Sequence, residues 1–324
     1  MSILVSVYCL AYNHEKYIRS ALEGFVNQKT NFEYEVFVHD DASTDRTASI
    51  ILEYAEKYPN IIKPIIQQEN LYSKGINIFG IYIYPQMSGK YIATCEGDDY
   101  WCDEYKLQKQ VDFLEKHTDY IACTHNSFIH NLKTGEKALV SARKHSGSIK
   151  LKDIVDWNNM FQSSSLIYRK SLREKEPVYM KSINGAGDYN LALWLKLNGK
   201  IHYIASPMSV YRYMAEGSWT SRNLDQDKNI LDKIEMLKLF DKESQYKYKR
   251  LVKRKIDRLT IEMLYRNNEI NKLHDMGYAD MLSAGYIGIA VAVFLRLHNY
   301  KMYQMISELL YGKRSKESDK KDNG

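Results

Sequence analysis

Glu96-Gly97-Asp98-Asp99 places three carboxylates within four residues, directly after the apolar run Tyr91-Ile92-Ala93-Thr94-Cys95. Acids gathered this tightly repel one another strongly unless a cation joins them. Mg²⁺ and Mn²⁺ prefer oxygen ligands, and an ion bound to a diphosphate commonly takes only one or two from the protein. A second acidic pair, Asp40-Asp41, leads into Ala42-Ser43-Thr44-Asp45, and Asp188 opens a helical pattern. Taken singly, each has a plainer reading. Asp98-Asp99 could be a turn, and Asp41 and Asp188 could be helix N-caps. Tyr12 could present a ring to a base or sit as a packed loop tyrosine in a chain with 27 of them.

The elements that must hold these residues alternate. Residues 3–10 form a β-rich apolar run, and 15–28 follow with helical spacing at Ile18, Ala21, Leu22, Phe25 and Val26, Asn13 serving as the expected N-cap. A second strand is expected over 34–38, a helix over 44–58 ended by Pro59, a third strand over 61–67 and a fourth over 91–95. Such alternation implies an α/β fold with a mostly parallel sheet flanked by helices. Ligands of open sheets of this kind sit beyond the carboxyl ends of the strands. Tyr12-Asn13, Asp40-Asp41 and the Glu96–Asp99 run all fall at such ends, so one crevice is expected to collect them.

Several function classes are excluded. Neither GxxxxGK[ST] nor GxGxxG follows the first strand, which removes support for a P-loop NTPase or a dinucleotide-dependent oxidoreductase. Cys9, Cys95, Cys102 and Cys123 form no CxxC pair and read as reduced thiols rather than a zinc site. The net charge of +6 is mild and much of the excess follows Lys242, and no basic stripe interleaved with aromatics runs through the first half, so nucleic acid is not an expected partner. The opening residues carry no basic leader, and the most apolar stretch, 286–297, is shorter than the roughly 20 residues that span a bilayer. A cytoplasmic location, including the inner membrane face, is the expectation.

Four segments together carry a resemblance. Ser6-Val7-Tyr8-Cys9-Leu10-Ala11-Tyr12-Asn13, Val36-Phe37-Val38-His39-Asp40-Asp41-Ala42-Ser43-Thr44-Asp45, Glu96-Gly97-Asp98-Asp99-Tyr100-Trp101 and Gly187-Asp188-Tyr189-Asn190-Leu191 stand in the order found in the inverting glycosyltransferases called family 2. The chain resembles that family over about residues 1–220, which implies the GT-A fold, a Rossmann-like sheet flanked by helices. The resemblance assigns Tyr12 to stacking on the nucleobase and Asp41 to its edge. Glu96, in place of the usual first Asp, falls toward the ribose. Asp98 falls on the metal that bridges the diphosphate, with Asp99 a second candidate ligand. Asp188 matches the catalytic base, although Gly187 stands where the family often has Glu. Trp101 could wall a sugar ring or belong to the core. Lys74 and Arg212 could meet phosphate, and Gly217 with Ser218 could form a closing loop.

The resemblance thus implies an inverting transfer from a nucleotide-diphosphate sugar, most commonly a uridine diphosphate sugar, with a divalent Mn²⁺ or Mg²⁺ cofactor. The acceptor would be a hydroxyl on a saccharide or lipid-linked glycan in capsule, exopolysaccharide or lipopolysaccharide assembly. Two other functions compete. A sugar nucleotidyltransferase needs a Gly-rich basic loop after the first strand, which Tyr12-Asn13-His14-Glu15 is not. A non-catalytic sugar-binding module has no need of Asp41, Asp98 and Asp188 together. The catalytic domain is expected over 1–221, a Lys/Glu-rich helical appendage over 222–311, and a charged disordered tail over 312–324. Those helices could meet a second copy or lie peripherally on a membrane.

Overall fold

The computed structural model describes residues 2–156, 162–175, 187–218 and 225–311. Trp219 and the tail at 312–324 lie outside them. Two compact units divide the chain, residues 1–232 and 233–324.

The first unit opens as its apolar spacing requires. Strand β1 (Ile3–Ala11) leads through a turn to helix α1 (Ile18–Val26), β2 (Glu33–Asp40), α2 (Thr47–Lys57) and β3 (Ile62–Ile66). After a loop with a π-helical turn at Phe79–Ile83 come β4 (Tyr91–Thr94), the short β5 (Tyr100–Trp101) and α3 (Lys106–Lys116). Then follow β6 (Tyr120–Asn131), β7 (Lys137–Leu139), β8 (Gly147–Ser148), α4 (Leu151–Val155), β9 (Ile167–Arg169), α5 (Gly187–Asn198) and β10 (Lys200–Tyr213).

The strands form one mixed sheet in the order β3-β2-β1-β4-β9-β6-β10-β5, with β7 beside β6 and β8 beside β10. The half read from the sequence, β3 to β4, is parallel throughout. Pro64 is tolerated because β3 is the edge strand. Beyond β4 the sheet continues through antiparallel β9 and the parallel β6–β10 pair. Ile18, Ala21, Leu22 and Phe25 of α1 and Ile50, Ile51 and Tyr54 of α2 bury against Val5, Val7, Val36 and Val38. Those positions recur at helical period on one side and strand period on the other.

Helix α1 starts at Ile18, three residues later than the spacing suggests. Asn13 adopts φ 57°, so it cannot lead directly into a right-handed turn. The chain instead turns at His14, whose carbonyl accepts the N–H groups of Tyr17 and Ile18, each at 2.8 Å. The Asn13 side chain caps nothing in α1 and is used across the crevice.

The second unit is helical: α6 (Gln226–Glu243, reaching back into the first unit's residues), α7 (Lys249–Arg266), α8 (Ile270–Met276), α9 (Tyr278–Ala284), α10 (Ile287–His298) and α11 (Tyr300–Tyr311). Its core gathers Ile261, Leu264, Leu273, Met281, Ala284, Ala290 and Val293.

Candidate active site

The strand-end loops after β1 and β2 are laced together. Asn13 N–H donates to Ser43 Oγ at 2.9 Å, and Asn13 Oδ1 accepts the Thr44 N–H at 2.8 Å. His14 N–H donates to Thr47 Oγ1 at 2.8 Å, and Glu15 N–H to Asp45 Oδ2 at 3.0 Å. Glu15 returns the bond, accepting Arg46 N–H at 3.0 Å. Asp40 is fully buried and accepts the Ser43 N–H at 3.0 Å. Three non-glycine residues with positive φ, Asn13 (57°), Ala42 (60°) and Met214 (64°), stand just past the ends of β1, β2 and β10. Such conformations cost of order 1 kcal/mol or more each and gather where a site demands them.

The acidic run joins this rim through backbone. Cys95 N–H donates to Tyr8 O at 3.2 Å, and Gly97 N–H to Leu10 O at 2.9 Å. Gly97 must be small: a Cβ there would stand 2.9 Å from His14 Nδ1, 3.0 Å from Ile18 Cδ1 and 3.1 Å from Ala11 Cβ. One missing methyl thus lets the run lie directly against the first loop.

Each predicted site residue has a definite place. Tyr12 is half-buried on the rim. Asp41, 4% exposed, accepts Leu71 N–H at 2.8 Å on Oδ1 and Tyr72 N–H at 3.0 Å on Oδ2. It therefore pins the 67–75 loop beside the crevice, and a carboxylate retains further acceptor capacity on both oxygens. Asp98 is 9% exposed and Glu96 half-buried. Asp99, 3% exposed, accepts the backbone N–H of Arg212 at 2.9 Å, so it ties the run to β10. Asp188 lies in the first turn of α5 rather than at its cap.

Their electrostatics show that these acids share one neighbourhood. Burial, then Asp188, then Asp98 push the Glu96 pKa up to about 8. Burial and Asp98 hold Asp99 well above the usual carboxylate range. Asp188 is pushed up to about 6 by the surrounding protein, although its side chain is exposed, so solvent moderates that rise. Asp188, far along the chain from Glu96, is thus the largest charge acting on it.

Among the described residues, no three His, Cys, Asp or Glu side chains make a metal site of their own. The raised carboxylates nevertheless fit a divalent cation, whose charge would relieve their repulsion and which would take its remaining oxygens from a diphosphate and water. Asp98 and Glu96 are the side chains of the run that could hold it.

Other expectations resolve differently. Trp101 is 3% exposed and belongs to the core, edge-on to Phe25 with centroids 4.9 Å apart and donating its indole N–H to Ser164 O at 2.9 Å. It does not wall a sugar. Lys74 pairs with Glu69 at 2.6 Å, both solvated. The Arg212 guanidinium donates to Asp98 O at 2.8 Å and lies 4.4 Å from the Tyr100 ring centroid and 5.4 Å from that of Tyr17. The segment beyond β10 reaches across to the turn before α1, where Glu216 pairs with Lys16 at 2.6 Å. Gly217, at φ 76°, supplies the turn there.

One buried polar pair near the site escaped the sequence reading. Lys106 is fully buried, donates to Gln110 Oε1 at 2.8 Å and stands 4.1 Å from the Trp101 ring centroid. Gln110 Nε2 in turn donates to Cys123 O at 3.1 Å and Ser165 O at 2.9 Å. The signal was present: two polar residues four apart on the same helical face as Leu107, Val111 and Leu114.

Comparison with known proteins gives three findings. The family model described as glycosyl transferase family 2 matches residues 6–216. An uncharacterized protein of Mycobacterium tuberculosis is 36% identical over 228 residues, covering 69% of this chain and 63% of its own length, so this chain spans under two thirds of that relative. Among solved structures, S. aureus TarS 1-349 in complex with UDP-GlcNAc superposes with a TM-score of 0.62 at 18% identity, over 94% of this chain and 91% of that one. The mannosyltransferase PcManGT of Pyrobaculum calidifontis, in complex with GDP-Man and Mn²⁺, reaches a TM-score of 0.50 at 15% identity, over 97% and 89%. At these identities the structures speak to the fold, which is GT-A-like.

Proposed function

The chain belongs to glycosyl transferase family 2, and on that premise we propose that it is a glycosyltransferase that moves a sugar from a nucleoside-diphosphate donor to an acceptor hydroxyl with inversion. The observation that carries this reading is the field shared by Glu96, Asp98 and Asp188, the carboxylates of a donor end and of a base.

Tyr12 offers a ring to the base and Asp41 an acceptor for its N–H edge, next to the loop that Asp41 holds. Glu96 is assigned to the ribose, and Asp98, with Asp99 next to it in the chain, to the diphosphate. A divalent cation, Mn²⁺ or Mg²⁺, would there offset charge on the leaving nucleoside diphosphate. Asp188 takes the proton of the acceptor hydroxyl as its oxygen forms the new bond to the anomeric carbon and the bond to the diphosphate breaks. A base with a pKa near 6 is ionised at neutral pH yet still basic enough to accept that proton. The arrangement supplies one base and one leaving-group site, which suffices for a single displacement.

Of the donors, UDP-sugars are the first to test, TarS having been solved with UDP-GlcNAc and PcManGT with GDP-Man and Mn²⁺. The acceptor class we assign is a saccharide or lipid-linked glycan of a cell-surface polysaccharide. A panel of UDP-, GDP- and dTDP-sugars, measured for Mn²⁺-dependent binding and slow hydrolysis, tests the donor half. Binding that ignores Mn²⁺, or survives unchanged in Asp98→Ala, would refute the metal assignment. Full transfer by Asp188→Ala to a true acceptor would place the base elsewhere.

A further inference from the structure

One side of the sheet carries a row of cations that begins at the acidic run. His130 on β6 stands directly opposite Lys137 of antiparallel β7 and directly opposite Arg212 of parallel β10. Paired residues of neighbouring strands share a face, so the three side chains lie abreast, about 10 Å from first to last at the usual strand spacing. Arg212 and His130 are half-buried and Lys137 is exposed. Burial, then Lys137, then Arg212 lower the His130 pKa, so the row shares one field. Among the described residues no carboxylate bonds the side chain of Lys137 or His130. Glu136, the one acid of residues 128–140, accepts the Thr134 hydroxyl at 3.3 Å. Like charges directly opposite on neighbouring strands destabilise a sheet, and an anion laid along the row would turn that repulsion into binding.

Position and chemistry identify the carrier of that anion. In sheet order β6 and β10 lie beyond β4 from β1 and β2, whose ends carry Tyr12 and Asp41. A nucleotide seated there with its diphosphate at Asp98 leaves the row to the other reactant, the acceptor. Arg212 marks the junction. Its guanidinium donates to Asp98 O at 2.8 Å and its backbone N–H to Asp99, so one end of the row touches the turn assigned to the diphosphate. Two residues along each strand, and so on the same face, Val210, Phe128 and Leu139 pair as a second row. That row is apolar, and Leu139 is 51% exposed. Apolar side chains beside cations suit a sugar ring that carries a phosphate, the ring over Phe128 and Leu139 and the phosphate on Lys137 and His130.

We propose that the Lys137–His130–Arg212 row binds the acceptor through a phosphate group, which makes the acceptor class a phosphate-bearing saccharide. This rests on the reading of the chain as a transferase with its donor at Asp98, and the experiment separates the two. The full chain, isotope-labelled at histidine, is titrated with inorganic phosphate, glucose 6-phosphate and glucose. Each titration is run with and without Mg²⁺ and a saturating nucleoside diphosphate, the one that the donor panel selects. Both phosphates shift the His130 ring signals to saturation, glucose does not, and the shifts persist beside the bound nucleotide. Lys137→Ala and His130→Gln, followed by calorimetry, each weaken glucose 6-phosphate binding about fivefold or more, the loss of one charge-assisted bond. Lys133→Ala, in the hairpin turn outside the row, leaves that binding unchanged. Melting temperature and nucleotide binding stay at the wild-type level in all three. Phosphates that fail to shift His130 overturn the proposal. Phosphates that the nucleotide displaces also overturn it and give the row to the donor. Equal losses in Lys133→Ala and Lys137→Ala overturn it too, by showing only diffuse charge. A chain that binds glucose 6-phosphate at His130 but no nucleotide supports the row and refutes the donor reading.

Discussion

Arg212 donates its backbone N–H to Asp99 at 2.9 Å, so the last strand of the sheet and the acidic turn after β4 are held as one piece. The same arginine's guanidinium reaches the Asp98 carbonyl at 2.8 Å. One oxygen of Asp99 is thereby engaged by the backbone, and on the proposed reading Asp98 is the principal ligand of the cation. Asp99→Asn, which keeps an acceptor oxygen, should retain Mn²⁺-dependent nucleotide binding within a fewfold, whereas Asp98→Asn should weaken it at least about tenfold. Asp99→Ala leaves a buried N–H without its acceptor and should cost about 1–3 kcal/mol. Calorimetric titration of UDP with Mn²⁺, beside thermal melts, separates the three. Equal losses in both Asn variants would make Asp99 a ligand.

As the proposed base, Asp188 with its pKa at about 6 stops accepting a proton once it is protonated, so kcat/KM should fall as pH drops below about 6. Asp188→Asn should reduce transfer by roughly 10²–10⁴-fold with donor affinity little changed. A pH-rate profile without an acidic limb would contradict the assignment.

Stability should move the other way. Both groups have folded pKa values above their ordinary ones, about 8 for Glu96 and about 6 for Asp188, so the folded protein holds protons that the unfolded chain has released. Their contribution is full below the ordinary carboxylate range and is lost as pH rises toward 8. The metal-free protein should therefore melt lower at pH 8 than at pH 6, and Mn²⁺ with nucleotide should raise the melting temperature more at pH 8. Glu96→Gln should remove most of that difference.

Asp41 accepts the N–H groups of both Leu71 and Tyr72. Asp41→Ala should expose those two amides to faster hydrogen exchange while the strands keep their protection. It should also weaken nucleotide binding by about tenfold or more, since the loss of either a direct contact or the loop's order acts in that direction. Unchanged exchange at 71 and 72 would show that the loop is held by something else.

Gly97→Ala places a methyl against His14, Ile18 and Ala11 at 2.9–3.1 Å. Overpacking of this kind should cost about 1–3 kcal/mol and shift the acidic run, so metal affinity and melting temperature fall together.

Lys106 is fully buried against Trp101, and burial pushes its pKa down to about 7. Because the folded value lies below the ordinary one, its contribution is present at high pH and lost as pH falls through the folded value. Lys106→Met, of similar length and apolar, should match or exceed wild-type stability, with the larger gain at pH 6 than at pH 9. Melts at the two pH values decide this, and a loss at pH 6 would mean that the charge on Trp101 is worth more than its desolvation.

The sequence reading and the structure part company at identifiable places. The β1–β4 half was legible because period-2 and period-3.6 apolar patterns follow directly from which face is buried. Strand β9, only Ile167–Arg169, has too few residues to show a period, yet it pairs antiparallel with both β4 and β6 and makes the sheet mixed. Asn13 reads as a helix cap in sequence, because Asn before an apolar-periodic segment usually is one. Its positive φ and its bonds to Ser43 and Thr44 depend on a loop thirty residues away that no local pattern contains. Trp101 beside an acidic run reads equally as a sugar wall or a core ring, and its contacts with Phe25 and Ser164 decide for the core.

What the sequence alone offered was the candidate residues and their places: Tyr12, Asp41, Glu96, Asp98 and Asp188 stand at the ends of strands or the start of a helix, where apolar periodicity stops. It did not offer their division of labour. Glu96 comes under the charge of Asp188, Asp99 ties to Arg212 and Asp41 anchors a loop only when distant segments meet. Charge and hydrogen-bond energies depend on distance and burial, and a linear sequence specifies neither.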